Sequence, residues 1–235
     1  MDDLNNSVKS ILKSATGSLL SYDYTTALEE LKKGEVLDRN NPEILYNLGI
    51  AYTRLGLHKT ALEYFNRVLS LEALFIDAHN VLRNIAFCLI HLENYTEALE
   101  TLDTILKDFP SDIAALNMKG YTLEKSGRIN DSIRTYSEIF RHDKSNLNSM
   151  NSTAYLMAKQ GINLKKALEI AEYVYKKNST NPAYRDTLGY IYMKSGDYDL
   201  AEKHLKAASR DMPFSNEIAE HIKELKVKKK KSSPD

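Results

Sequence analysis

The six histidines and the single cysteine are the residues best able to do chemistry in this chain of 235 residues. Clustered at short spacings, such side chains hold a metal ion or activate a nucleophile. Here they are scattered, and the sequence has no glycine-rich phosphate loop, nucleophile elbow or His-Glu-x-x-His motif. We therefore expect no catalytic site, no metal and no cofactor, so the chain is predicted not to be an enzyme. The residues concerned are Cys88, His58, His79, His91, His142, His204 and His221.

A lysine-rich end is the second place where chemistry is conceivable. The chain has 32 basic and 32 acidic residues, and Lys226–Lys231 holds five of the basic ones, so the remainder is slightly acidic. Like charges in a run favour disorder, and the absence of interleaved aromatic residues argues against sequence-specific reading of nucleic acid. We expect residues 226–235 to be disordered. They are either a passive terminus or a contact to RNA, the ribosome or an anionic membrane.

The sequence favours the cytoplasm. One cysteine excludes an intramolecular disulfide, and the start MDDLNNSVKS lacks the basic and apolar regions of a secretory signal. No apolar run approaches the roughly 20 residues that span a bilayer.

Small residues recur along the chain with a period of about 34 residues, which is typical of a solenoid of helical hairpins. A large apolar residue usually follows each of them four positions later, and a second small residue precedes each by twelve or thirteen. Prolines lie at the copy boundaries and glycines at the turns within copies, where each residue is compatible with helix ends. The small residues that define the period are Ala27, Ala61, Ala98, Ser132, Ala167 and Ala201.

These spacings resemble the tetratricopeptide repeat. The last full copy carries Leu188-Gly189, Tyr192, Gly196, Tyr198, Ala201, Ala208 and Pro213, and an earlier copy carries Leu48-Gly49, Tyr52, Gly56, Ala61 and Phe65. The resemblance implies an all-α, right-handed superhelical solenoid of about six helix-turn-helix repeats. We expect one domain over residues 1–225, with repeats at about 8–41, 42–75, 79–112, 113–146, 147–181 and 182–213 and a capping helix at 214–225.

One apolar segment interrupts the period. Three extra residues lie between the second and third copies, beside Ala73-Leu74-Phe75-Ile76. Either this segment is buried against the next copy or it forms an exposed patch that a partner covers, and the sequence leaves both open.

The resemblance also implies a binding groove, because in this family the first helix of each copy lines the concave face. Its ninth position holds Ile50, Phe87, Tyr121, Tyr155 and Tyr190, and its thirteenth holds Arg54, His91, Lys125, Lys159 and Lys194. The fifth and sixth positions add Asn47, Arg83, Asn84, Asn117 and Asn151. The predicted groove thus carries an aromatic stripe beside a basic stripe, with asparagines that can bond a peptide backbone.

We therefore predict a scaffold or adaptor that binds a protein or peptide in this groove, through apolar or aromatic anchors and some acidic residues. The alternative is an adaptor recruited to RNA, the ribosome or an anionic membrane by Lys226–Lys231. The family's clamp for a C-terminal carboxylate is disfavoured, since its Lys and Asn positions hold other residues here. The partner and the oligomeric state stay open.

Overall fold

A computed structural model of the chain describes residues 2–71 and 77–232. Over these ranges the chain forms 13 α-helices and no strand, which confirms the all-α prediction. The helices are α1 Asp2–Leu20, α2 Tyr24–Leu37, α3 Pro42–Arg54, α4 His58–Ser70, α5 Ala78–His91, α6 Tyr95–Asp108, α7 Ile113–Lys125, α8 Ile129–His142, α9 Leu147–Lys159, α10 Leu164–Lys177, α11 Pro182–Ser195, α12 Tyr198–Asp211 and α13 Asn216–Ser232.

Short polar side chains fix where the first helix of most copies begins. Asn41 and Asn181 each accept hydrogen bonds from backbone N–H groups of the first turn, and a proline follows each of them at the first helical position. Asp112 caps α7 in the same way. Such a cap satisfies donors that the helix leaves free and contributes about 1 kcal/mol.

The turn within each copy requires a left-handed residue. Glycine occupies this position in four copies, for example Gly196 with φ of 87°. The first and third copies have no glycine there, and the strained conformation falls on Tyr22 and Glu93 with φ of 65° and 59°. Each costs roughly 1–2 kcal/mol relative to glycine, so the turn geometry is imposed by the helix packing around it.

Close contact between the two helices of a copy explains the small residues of the period. A Cβ atom placed on Gly49 would lie 2.6 Å from a ring carbon of Phe65, and one placed on Gly189 would lie 2.8 Å from Leu205 Cγ. Phe65 and Leu205 are fully buried. The spacing of sixteen residues between small and large therefore marks a direct contact across these two hairpins.

The chain divides into two compact units, Met1–Gly127 and Arg128–Asp235. Unit 1 contains α1 to α7, and its core includes Ile44, Leu48 and Phe65. Unit 2 contains α8 to α13, and its core includes Leu188, Ile191 and Leu205. The predicted single domain over residues 1–225 and the limits of its repeats stay predictions.

The C-terminal end differs from the expectation of a disordered tail. Helix α13 continues to Ser232, seven residues beyond the predicted end of the capping helix. The reason is electrostatic: Lys229 Nζ lies 2.8 Å from Asp199 Oδ1 and 2.8 Å from Glu202 Oε2 of α12. Residues 233–235 and the segment Ala73–Ile76 lie outside the described residues, so the alternatives for that segment stay open.

Candidate partner-binding surface

The first helices of three successive copies in unit 1 present the predicted aromatic and basic residues together. Phe87 of α5 is 40% exposed and Tyr121 of α7 is 44% exposed, while Ile50 of α3 is half-buried. Arg54, His91 and Lys125 end the same three helices and are exposed. We call these six residues the unit 1 row.

The basic side chains of the unit 1 row have no ion-pair partner among residues 2–71 and 77–232. Lys125 Nζ instead lies 5.3 Å from the ring centre of Tyr121. A cation over an aromatic face is stabilised by about 0.5–1 kcal/mol at an exposed site and keeps most of its water. The unit 1 row is therefore a surface on which basic side chains lie beside exposed aromatic rings. Such a surface suits a ligand that supplies both carboxylates and apolar groups.

A histidine that sequence reasoning did not place in the groove joins this surface. The His58 ring, in the first turn of α4, stacks on His91 with centroids 4.5 Å apart, and Phe87 lies 4.3 Å from His91. Burial, with a smaller contribution from the charge of His91, lowers the pKa of His58. Protonation of His58 is therefore disfavoured. The ring contact arises across two copies, and no short-range spacing shows it.

The polar residues at the fifth and sixth positions are less available than predicted. Arg83 donates to Asp112 Oδ2 at 2.5 Å. The amides of Asn84 and Asn117 each donate at 2.9 Å to the carbonyl of the residue four positions earlier. Asn47 is half-buried. The side-chain amide groups of Asn84 and Asn117 thus donate hydrogen bonds within their own helices, although their side-chain oxygens remain able to accept hydrogen bonds from a ligand.

In unit 2 the equivalent residues are covered. Tyr190 is only 5% exposed, and its ring lies 5.2 Å from Tyr155 and 4.4 Å from His221 of α13. Lys194 Nζ lies 3.1 Å from Glu224 Oε1, also of α13. Asn151 is half-buried and Lys159 is exposed, with its ammonium 5.4 Å from the Tyr155 ring centre. The helix predicted only as a cap therefore lies over part of the predicted groove.

The contact of α13 with the groove contains a buried polar network. His221 Nδ1 lies 3.0 Å from Asp186 Oδ1, and its Nε2 lies 3.3 Å from the Tyr155 hydroxyl. Burial raises the pKa of Asp186, an effect that His221 partly offsets. Burial and the nearby Glu217 carboxylate raise the pKa of Tyr155 far above its usual value. The phenol therefore stays protonated and acts as a hydrogen-bond donor, in a structural role.

A separate apolar cleft of about 460 Å³ lies among α8, α9 and α10 of unit 2. Its lining includes Phe140, Met150, Ile170 and Tyr173. The two aromatic residues are 37% and 45% exposed. The cleft was not predicted from the sequence, because these positions vary between copies.

The part of the chain that the structure describes has neither a metal-ligand cluster nor a membrane-spanning helix. There, no three His, Cys, Asp or Glu side chains converge as metal ligands would. Over the same residues, no helix has the length and apolar character needed to span a bilayer.

Comparison with known proteins decides the family. A TPR repeat model matches residues 23–56, and tetratricopeptide repeat models match residues 42–72, 81–112 and 184–210. The chain is a tetratricopeptide-repeat protein. The solved structures that resemble it support the same fold.

Three relatives illustrate how far the likeness of this tetratricopeptide-repeat protein extends. A TPR repeat-containing protein of Pseudomonas aeruginosa is 24% identical over 128 residues, which are 54% of this chain and only 22% of the relative. PilW, a type IV pilus biogenesis factor, is 17% identical with a TM-score of 0.74, over 92% of this chain and 98% of PilW. YrrB, described as having an unusual peptide-binding site, is 17% identical with a TM-score of 0.61, over 74% of this chain and 88% of YrrB. Identities this low show the fold alone.

Proposed function

We propose that this protein is an interaction scaffold whose unit 1 row binds a protein or peptide segment bearing acidic residues beside apolar or aromatic anchors. One observation carries the proposal. The unit 1 row combines exposed aromatic residues with three basic residues that lack ion-pair partners in the described chain. Aromatic and cationic side chains of this kind dominate the energetics of recognition surfaces.

Unit 2 supports the choice of an acidic ligand. There the basic residue at the equivalent position, Lys194, is matched by a carboxylate of the same chain, Glu224. In unit 1 the corresponding carboxylates are supplied by no described residue, so a partner is the natural source. The peptide-binding site named for YrrB is consistent with a tetratricopeptide fold serving this purpose.

The lysine-rich end is the less favoured route to a partner. Lys229 pairs with Asp199 and Glu202, and Lys228 Nζ lies 3.7 Å from Glu224. Because these contacts neutralise part of the charge, fewer cations are left for RNA or an anionic membrane. Deleting residues 226–235 is therefore expected to leave partner binding intact.

A peptide-display selection against the full-length protein tests the proposal. Selected peptides are expected to combine Asp or Glu with an aromatic or aliphatic residue. Their affinity should fall at least tenfold in a Phe87→Ala, Tyr121→Ala double variant. Tyr173→Ala is the matched control, because Tyr173 is as exposed as Tyr121 but lies on α10. Loss of binding in the Tyr173 variant alone would move the site to the cleft among α8, α9 and α10.

Charge reversal tests the electrostatic part. Arg54→Glu with Lys125→Glu should weaken binding and reduce its dependence on salt, whereas Lys107→Glu, at the exposed end of α6, should change neither. Unchanged affinity and salt dependence in the double variant would remove the acidic requirement while leaving the aromatic surface in place.

A further inference from the structure

Helix α13 covers residues that the sequence assigns to the binding groove. Its His221 lies against the rings of Tyr155 and Tyr190, and its Glu224 pairs with Lys194. The covered residues hold the same repeat positions as the unit 1 row. Unit 2 therefore contains a surface similar in composition to the unit 1 row, and α13 occupies this surface as a ligand would.

The contacts of α13 are partly apolar and partly polar. Its apolar contribution comes from Ile218, Ile222 and Leu225, of which Ile218 and Leu225 are buried and Ile222 is half-buried. The remaining contacts are the buried Asp186–His221 pair and the ion pairs of Glu224 and Lys229. Pairs at the surface contribute little, and a buried pair returns only part of its desolvation cost. A helix held by three apolar side chains and these pairs separates more easily than a helix that is packed between two others.

The position of α13 in the chain also permits movement. It is the last helix, and residues 212–215 join it to α12 through an exposed connection in which Phe214 is 96% exposed. The other helices of unit 2 have their own core around Leu188, Ile191 and Leu205. Release of α13 removes only Leu225 and Ile222 from that core and leaves its other members packed together, and such local opening needs less free energy than global unfolding.

We propose that α13 is a removable cover on a second binding surface, formed by Tyr155, Tyr190 and Lys194. The occupant that fits this surface is an amphipathic helix of a partner that, like α13, presents a carboxylate to Lys194. It must also offer a hydrogen-bonding side chain to the Tyr155 hydroxyl. In α13 itself, Glu224 meets the first requirement and His221 meets the second. The surface is distinct from the unit 1 row.

Hydrogen exchange and binding in trans test the two parts of this proposal on the full-length chain. In the wild type, amides of residues 216–232 should exchange faster than those of α11. Glu224→Gln should speed their exchange by about fivefold, the value of one partly exposed ion pair. His221→Ala leaves Asp186 buried without its partner and should speed it by more than about 100-fold.

The probe for binding is a fluorescein-labelled synthetic peptide of residues 216–232. At micromolar concentration it should not bind the wild type, because the tethered helix has an effective concentration of about millimolar. It should bind the His221→Ala variant, and Lys194→Glu in that background should weaken binding at least tenfold. A peptide carrying Glu224→Lys should restore it. Phe87→Ala with Tyr121→Ala should change none of these results.

Two outcomes would overturn the proposal. The first is exchange of α13 in the wild type at the rate of α11, since α13 would then open only with the whole unit. The second is an exchange-labile α13 in a variant that fails to bind the peptide. If His221→Ala does not fold, Glu224→Gln serves both measurements, and peptide binding to it that is insensitive to Lys194→Glu counts against the proposal.

Discussion

Tyr121 in unit 1 and Tyr190 in unit 2 hold the same position in their copies but differ in environment. Tyr121 is 44% exposed beside Lys125, whereas Tyr190 is 5% exposed beneath α13. In each case a lysine lies about 5 Å above the ring, so the local geometry is conserved and only the covering differs. A repeat position thus determines where a side chain lies on its hairpin, and the following helix determines whether a partner can reach it.

The largest expected effect is the stability difference between the two tyrosines. Tyr190→Ala removes a buried aromatic ring and should lower the free energy of unfolding by about 3 kcal/mol or more. Tyr121→Ala should lower it by no more than about 1 kcal/mol, because Tyr121 is 44% exposed and its removal leaves no closed cavity. Urea denaturation of the two variants measures both values. Equal losses would mean that α13 does not shield Tyr190 in solution.

Glycine packing provides a second and smaller contrast. Gly189→Ala places a Cβ 3.1 Å from the backbone nitrogen of Leu205, which cannot move aside, and should cost about 2 kcal/mol. For Gly49→Ala the three nearest atoms all belong to the Phe65 ring, which can rotate where backbone cannot, so this substitution should cost less. Gly17→Ala is the control: nothing lies within 4 Å of its Cβ, so better helix propensity should stabilise the protein by up to about 1 kcal/mol. Thermal denaturation of the three variants should give this order, and any other order would contradict the packing argument.

The fold was predictable because its determinants are local and repeated. Pro42 and Pro182 begin helices, Gly56 and Gly196 lie at left-handed turns, and all six small residues that define the period are fully buried. Where a copy lacks the turn glycine, as at Glu93, the turn still forms because the surrounding contacts impose it. The repeated prolines, glycines and small residues therefore predict the fold even where one copy lacks one of them.

The candidate site was predictable only in part. The repeat position of Tyr190 was clear from the sequence, but its burial depends on His221, which lies 31 residues later in a helix without the repeat motif. The stacking of His58 on His91 likewise joins residues from two copies. Helix α13 extends past Lys226 because Lys229 meets two carboxylates of α12, whereas composition alone indicated disorder. Contacts between copies have no signature at short range.

A smaller effect tests the pairing of lysines. Lys194→Gln removes a partly exposed ion pair with Glu224 and should cost about 0.5–1 kcal/mol of stability. Lys125→Gln in the unit 1 row should cost less than about 0.5 kcal/mol, since it loses only a contact with an exposed ring. Denaturation at low and high salt distinguishes the two variants. Salt should reduce the stability loss of Lys194→Gln and leave the stability loss of Lys125→Gln unchanged. A larger loss for Lys125 would indicate a carboxylate partner within the chain.

The smallest expected effect is the pH dependence contributed by His58. Its pKa is lowered in the folded protein by burial and by the charge of His91, so the unfolded chain binds a proton more readily. The stabilisation is fully present above about pH 6.5, the ordinary pKa of histidine, and is lost as pH falls through the lower pKa of the folded protein.

His58→Gln should therefore reduce the loss of stability between pH 7 and pH 5. His142→Gln, at an exposed position in the last turn of α8, is the matched control. Because the imidazole pair lies on the unit 1 row, a bound acidic ligand should oppose the same effect by favouring the protonated form. A slope that neither the His58 substitution nor an acidic ligand alters would show that His58 is solvated and not held against His91.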